Sequence, residues 1–213
     1  MPEKYKDILK SYSSLKMKIL SRLKEFSLFL TKNDDAVFEE LCFCILTPQS
    51  KAVYADMAIK SMHEKQILYK GSEAIIRKHL QKVRFPNNKT KYLLHARQRF
   101  MKNGKIKIKD IIDPTDIHAT REEIVRNVKG IGLKEASHFL RNIGYGKNIA
   151  ILDVHILNNL KKYDVIASIP KTISRKQYYD IEKKMKSFSL DIGIPMDQID
   201  LLFWAIQTGH VFK

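Results

Sequence analysis

The sequence predicts an all-α protein, and three observations carry the prediction. Apolar residues recur every three or four positions in one segment after another, the spacing of a buried helix face. Glycine and proline, which punctuate turns and hairpins, number only eight and six in 213 residues. Yet 44% of the residues are apolar, ample for a buried core in a chain of this length.

Taken in order, residues 3–31 place Ile8, Tyr12, Leu15, Ile19, Leu23 and Phe26 at helical intervals. Phe38 to Leu46 is nearly all apolar and should be the most buried helix; Thr47-Pro48-Gln49-Ser50 ends it. A helix follows from about Lys51 to Met62, then a pair over 73–83 and 88–101, broken at Arg84-Phe85-Pro86-Asn87. A residue before proline favours extended backbone, so Phe85 should be held extended in a loop. The basic run from Lys102 to Lys109 reads as a connector. Asp113-Pro114 and Thr120-Arg-Glu-Glu123 are helix-start signals, the second a capping box. Helical spacing then runs through Ile124, Val125 and Val128, and again from Leu133 to Ile143 until Gly144 stops it. Three more helices are expected, from Asp153 to Leu160, from Ser174 to about Leu190, and from Met196 to Gln207.

The formal net charge is +16. Such an excess argues for a polyanionic partner, because each phosphate neutralised by lysine or arginine releases a counterion. No apolar run approaches the ~20 residues that span a bilayer, and no secretory signal opens the chain. An intracellular protein working on the chromosome is therefore expected, with no membrane association. Cys42 and Cys44 lie two apart on a helix and point in different directions, which suits buried thiols rather than a disulfide or a metal site. The seven histidines show no metal-ligand spacing with a carboxylate or thiol, so no metal is expected.

Val128-Lys129-Gly130-Ile131-Gly132 joins two of the helical stretches into a helix-hairpin-helix. Its glycines let the backbone turn sharply and approach a surface closely. N–H groups at the start of the second helix then point outward, where a phosphate can sit. Lys129, Gly130 and Gly132 thus read as a clamp on a DNA backbone. Lys134 falls in the first turn of that second helix, where the dipole disfavours an extra positive charge and favours an amine nucleophile. Asp153 follows the apolar run Ile149 to Leu152 and should cap the next helix. A carboxylate facing a lysine amine can also stabilise an oxocarbenium-like sugar and move protons.

Gly-Ile-Gly-Leu-Lys134, followed by Leu-Asp153-Val-His155, resembles the helix-hairpin-helix DNA glycosylase superfamily, in the branch with both catalytic lysine and aspartate. Cys42-Phe-Cys-Ile-Leu-Thr47 and Lys134-Glu-Ala-Ser-His-Phe-Leu-Arg-Asn-Ile-Gly144 are similar to the archaeal type of 8-oxoguanine DNA glycosylase/AP lyase. The resemblance implies two helical subdomains flanking a cleft. Residues 1–32 and 116–213 would form the helix-hairpin-helix subdomain, and residues 33–115 the second.

It also implies an enzyme that flips 8-oxoguanine out of duplex DNA, excises it through a Lys134 Schiff base, and nicks the abasic site by β-elimination. Gln49 and Arg84 would enter the duplex. Phe85 and Trp204 would stack on the flipped base. Lys213 would meet the edge of that base with its ammonium and the terminal carboxylate. Hairpin carbonyls would hold a monovalent cation, and no metal or organic cofactor would do the chemistry. With two cysteines the chain lacks the four that hold the iron–sulfur cluster of related branches. The expected partner is duplex DNA containing 8-oxoguanine or abasic sites, bound by a monomer. Two alternatives stand beside this reading: a non-catalytic DNA-binding helix-hairpin-helix module, and a glycosylase for another oxidised or alkylated base.

Overall fold

Helical spacing is realised as helix almost throughout the computed structural model, which describes residues 3–211. The expected N-terminal helix is α1 (Lys6–Ser27), burying Ile8, Ile19 and Phe26. A short 3-10 turn follows, then α2 (Asp34–Leu46), capped by Asn33, whose side chain accepts from Ala36 N–H at 3.0 Å. From Phe38 to Leu46, α2 is almost wholly buried, as its apolar run requires, and both cysteines lie inside it. Burial pushes the Cys42 thiol well above its usual range. Next come α3 (Ala52–His63), the short α4 (Ile67–Lys70), α5 (Glu73–His79) and α6 (Pro86–Phe100).

Two local expectations are corrected after α6. The stretch read as a connector holds a small antiparallel hairpin, β1 (Met101–Lys102) and β2 (Lys105–Ile106), pairing Met101 with Ile106. Asn103 and Gly104 turn it with φ of +50° and +74°, the conformation that favours Asn-Gly in two-residue hairpins. The helix α7 (Ile117–Asn127) is capped by Asp116, not by Thr120. Thr120 is inside the helix, and its hydroxyl accepts from Asp113 N–H at 2.8 Å. The remaining helices are α8 (Leu133–Asn142), α9 (Val154–Lys162), α10 (Arg175–Ile192) and α11 (Met196–Thr208). Ser174 and Gln177 form the reciprocal capping box that opens α10.

The backbone divides into two compact units, Met1–Leu30 with Leu140–Lys213, and Thr31–Phe139. One break follows Leu30 and the other falls inside α8, so the hairpin loop and Lys134 belong to the unit Thr31–Phe139. In the other unit Tyr163 stacks on Phe188 and Phe203 at centroid distances of 6.0 and 5.9 Å. There too the Tyr12 hydroxyl donates to Gln198, tying α1 to α11. Arg141 at the end of α8 forms a buried ion pair with Asp200 at 3.2 Å. No helix among the described residues is long and apolar enough to cross a membrane.

Candidate active site

The hairpin is built from α7 and α8. Val128 N–H donates to Ile124 O at 2.9 Å to finish α7, and the chain turns on Gly130 at φ +85°. Val128 and Ile131 enter the core while Lys129, Gly130 and Gly132 stay exposed. Gly132 O accepts from Ala136 N–H at 2.9 Å, so α8 begins there. The N–H groups of its first turn have no acceptor within the helix. Arg121, fully buried, donates to Ser137 Oγ at 3.0 Å and ties α7 to α8.

The two glycines, assigned one role from the sequence, differ. A Cβ at Gly130 would stand 2.3 Å from the Tyr92 ring, whereas one at Gly132 would meet only Glu135 Oε2 at 3.5 Å. Gly130 is demanded by the fold. At Gly132 a side chain has room within its unit, so the position is open to close approach from outside. Gly130→Ala is expected to lower fold stability by about 1–3 kcal/mol. Gly132→Val should leave stability unchanged within about 0.5 kcal/mol and weaken binding to lesion-bearing and plain duplex alike. Thermal melting and fluorescence anisotropy check the pair. A loss confined to lesion-bearing duplex would mean that the hairpin reads the base.

Lys134 is the second residue of α8; its side chain is 30% exposed, and its ammonium lies 3.5 Å from Glu135 Oε1. Glu135 is inconspicuous in the sequence, because an acidic residue in a first turn is ordinary dipole compensation. In the fold it places a proton-accepting carboxylate beside the amine. The surroundings of the loop are strongly basic. His95 is held below the usual imidazole range by burial, and by Lys129 and Arg99.

Gln49 and Phe85 form two exposed tips in the same unit. Ser50 N–H donates to Thr47 O at 2.9 Å, closing a turn whose third residue, Gln49, has φ +56°. That position ordinarily takes glycine or asparagine. Phe85 is not extended as expected; it is left-handed at φ +57°, ψ +50°, and precedes Pro86 at the first position of α6. Its ring is 48% exposed, with the Arg84 guanidinium 5.3 Å from the ring centroid. Each such conformation costs roughly 1–2 kcal/mol for a non-glycine residue, and strain of this kind collects at functional sites. The surroundings overrule the local preference. Arg84 N–H donates to Ser50 Oγ at 2.9 Å, and Lys89 N–H to Phe85 O at 3.0 Å. Gln49, Arg84 and Phe85 are thereby brought together.

Lys89, unremarkable in the sequence, is 4% exposed. Its ammonium donates to Leu46 O and Pro48 O at 2.7 Å each, and to Ser50 Oγ at 3.0 Å. Burial, with Arg84 acting in the same sense and Glu135 against it, lowers Lys89 from an ordinary 10.5 to about 8. Between those two pH values the unfolded chain keeps a proton that the folded chain has released, so fold stability rises with pH across the window. Below about pH 8 the buried charge costs stability in full. Lys89→Met is expected to remove this rising limb from the stability profile. Identical wild-type and variant profiles in pH-dependent denaturant melts would overturn the assignment.

Asp153 belongs to the other unit. Ala150 N–H donates to Glu182 at 2.6 Å, and the Tyr178 hydroxyl donates to Ala150 O at 2.6 Å. These bonds dock the buried segment before Asp153 onto α10. Asp153 then caps α9, accepting from Ile156 N–H at 2.8 Å, as its sequence position predicts. Trp204 on α11 meets His155 edge-to-face at 5.1 Å, which gathers the tryptophan and the Asp153 turn into one group. No sequence signal gave His155 a role. Lys213 lies outside the described residues.

A family described as 8-oxoguanine DNA glycosylase matches residues 19–194. The chain belongs to this family. It is 45% identical to an 8-oxoguanine DNA glycosylase/AP lyase of Fusobacterium nucleatum, over 99% of this chain and 98% of that protein. A protein of the same name from Methanocaldococcus jannaschii is 37% identical over 94% of each. The crystal structure of the M. jannaschii 8-oxoguanine DNA glycosylase superposes with a TM-score of 0.86 at 34% identity, covering all of both chains. That of the Thermotoga maritima 8-oxoguanine DNA glycosylase gives 0.85 at 31% identity, covering 98% of this chain and 97% of that one. The glycosylase-family match spans Gln49, Arg84, Phe85, the hairpin, Lys134 and Asp153. Trp204 falls beyond it, in the part covered by the full-length relatives.

Proposed function

We propose that the chain is a bifunctional DNA repair enzyme, which excises 8-oxoguanine from duplex DNA and then cleaves the abasic site. One observation carries the reading: a partly exposed lysine amine opens the second helix of the hairpin, in a chain whose relatives share the name 8-oxoguanine DNA glycosylase/AP lyase. A structure of the M. jannaschii relative holds a 15mer DNA containing 8-oxoguanine, which supports DNA as the partner. The net charge of +16 suits the same partner.

A base inside the stack cannot be reached, so the damaged nucleotide is extruded. Gln49 and Arg84 enter the duplex and fill the gap, while Lys129 and the hairpin backbone hold flanking phosphates. Phe85 and Trp204 offer faces to the extruded purine, and Lys213 its polar edge. The Lys134 amine attacks the anomeric carbon, a C–N bond to lysine forms, and the bond to the base breaks as the base leaves protonated. Sugar-ring opening gives the Schiff base. Loss of a proton from the neighbouring sugar carbon then expels the 3′ phosphate. Asp153 stabilises positive charge on the sugar, and the carboxylate of Glu135 accepts protons from the amine. Abasic DNA as a second substrate, a monomeric state and a place with the chromosome belong to the same proposal.

A panel of duplexes, each with a single lesion, tests the reading under single turnover with and without borohydride. Excision at 8-oxoguanine with a nick and a trapped adduct is expected. Excision without an adduct would remove the lysine chemistry, and neither product would leave a DNA-binding module.

A further inference from the structure

The tip residues Gln49 and Phe85 are far apart in sequence, yet one buried residue, Lys89, bonds both of their turns, the Phe85 turn through its backbone N–H and the Gln49 turn through its ammonium. Lys89 stands one turn into α6, so its backbone N–H holds Phe85 O at 3.0 Å. Its ammonium crosses to the end of α2, where it takes the carbonyls of Leu46 and Pro48 and the hydroxyl of Ser50. Pro48 and Ser50 flank Gln49 on either side. Ser50 in turn accepts the N–H of Arg84, closing the link between the two turns.

The partners of this ammonium are two carbonyls and a hydroxyl, with no carboxylate in the set. A lysine can satisfy the last carbonyls of a helix in this way. Burying a charge to do so is nonetheless an expensive means of holding a loop, since an apolar residue of similar volume is often as stable or more so. A neutral side chain, however, could not donate to Leu46 O, Pro48 O and Ser50 Oγ all at once. The arrangement favours geometry over stability at two strained and exposed residues.

We infer that Lys89 is a positioning residue for duplex opening, locking the Gln49 turn to the Arg84–Phe85 turn so that Gln49 and Arg84 enter the duplex as one rigid body, with Phe85 held beside them for the extruded base. The inference rests on the reading of Gln49 and Arg84 as duplex-inserting groups of a base-flipping enzyme. Lys89 itself touches neither the flipped base nor the sugar. Its effect is confined to the step that extrudes the nucleotide, before Lys134 acts.

The test compares Lys89→Met, Gln49→Ala and the double variant in three assays. These are single-turnover excision from 8-oxoguanine duplex, borohydride trapping on a single-stranded abasic oligonucleotide, and 2-aminopurine emission beside an abasic site in duplex. Lys89→Met is expected to slow duplex excision on the order of 10–100-fold, as misplacement by about an ångström can do, and to weaken the 2-aminopurine signal. Trapping on single-stranded DNA, which needs no duplex opening, should be unchanged. In the Lys89→Met background, Gln49→Ala should cost much less than in wild type, because the two act through one turn. Full-rate duplex excision, equal loss on single-stranded DNA, or additive losses would each overturn the inference. If Lys89→Met fails to fold, Ser50→Ala, which removes the hydroxyl shared by Lys89 and Arg84, replaces it in the same cycle and is judged by the same outcomes. Wild-type protein that left 8-oxoguanine in place would defeat the reading of the reaction. The 2-aminopurine comparison would still decide whether the tips move as one.

Discussion

Lys134→Gln protein should bind lesion-bearing duplex almost as wild type does, while releasing no base, cutting no strand and forming no borohydride-trapped adduct. Glutamine, one atom shorter than lysine, keeps its unbranched shape and helix propensity, so α8 should form unchanged. The substitution removes a partly exposed ion pair with Glu135 at 3.5 Å, and such pairs contribute at most about 1 kcal/mol. One ammonium removed from a chain of net charge +16 also leaves most of the phosphate attraction in place. The deficit should therefore be entirely chemical. Single-turnover kinetics, trapping and anisotropy on the same preparation check it, and a wild-type yield of trapped adduct would move the nucleophile to another amine.

Asp153→Asn should lower the excision rate by about two to four decades, the range for positioned acid/base or charge-stabilising groups. Stability should hold, since the side-chain bond to Ile156 N–H at 2.8 Å is one that asparagine makes equally well. Asp153→Ala should lose that cap as well, at about 1 kcal/mol. The two substitutions separate charge from capping. A full rate for Asp153→Asn, with a loss for Asp153→Ala that tracks its melting temperature, would reduce Asp153 to a helix cap.

What could be read from the chain was what short stretches determine. Gly-Ile-Gly between two helical rhythms marks a hairpin because only a few residues must agree. Ser174 with Gln177, and Asp153 before an apolar run, mark helix starts for the same reason. Asn103-Gly104 carried a hairpin signal of equal quality, but the flanking strands are two residues each and alternate too briefly to register against a lysine run. Thr120 fitted the capping pattern, yet Asp116 took the position. The threonine hydroxyl found Asp113 instead, and the sequence motif does not reveal that competition.

Phe85 and Lys89 mark the limit. The rule for a residue before proline describes an isolated dipeptide, and at Phe85 it is overruled by bonds that Ser50 and Lys89 make from outside that dipeptide. Lysine in a chain so rich in it reads as a solvated surface group, and nothing near Lys89 in sequence argues otherwise. The acceptors that bury its ammonium lie 39 to 43 residues away, at the end of α2 and in the turn beyond. The same holds for the two hairpin glycines, alike in sequence and distinguished by the positive φ of Gly130 and the Tyr92 ring that α6 places against it. Helix, turn and cap follow from energies exchanged within a few residues. Which lysine is buried, which glycine is indispensable and which turn is strained follow from groups that only chain folding brings within bonding distance.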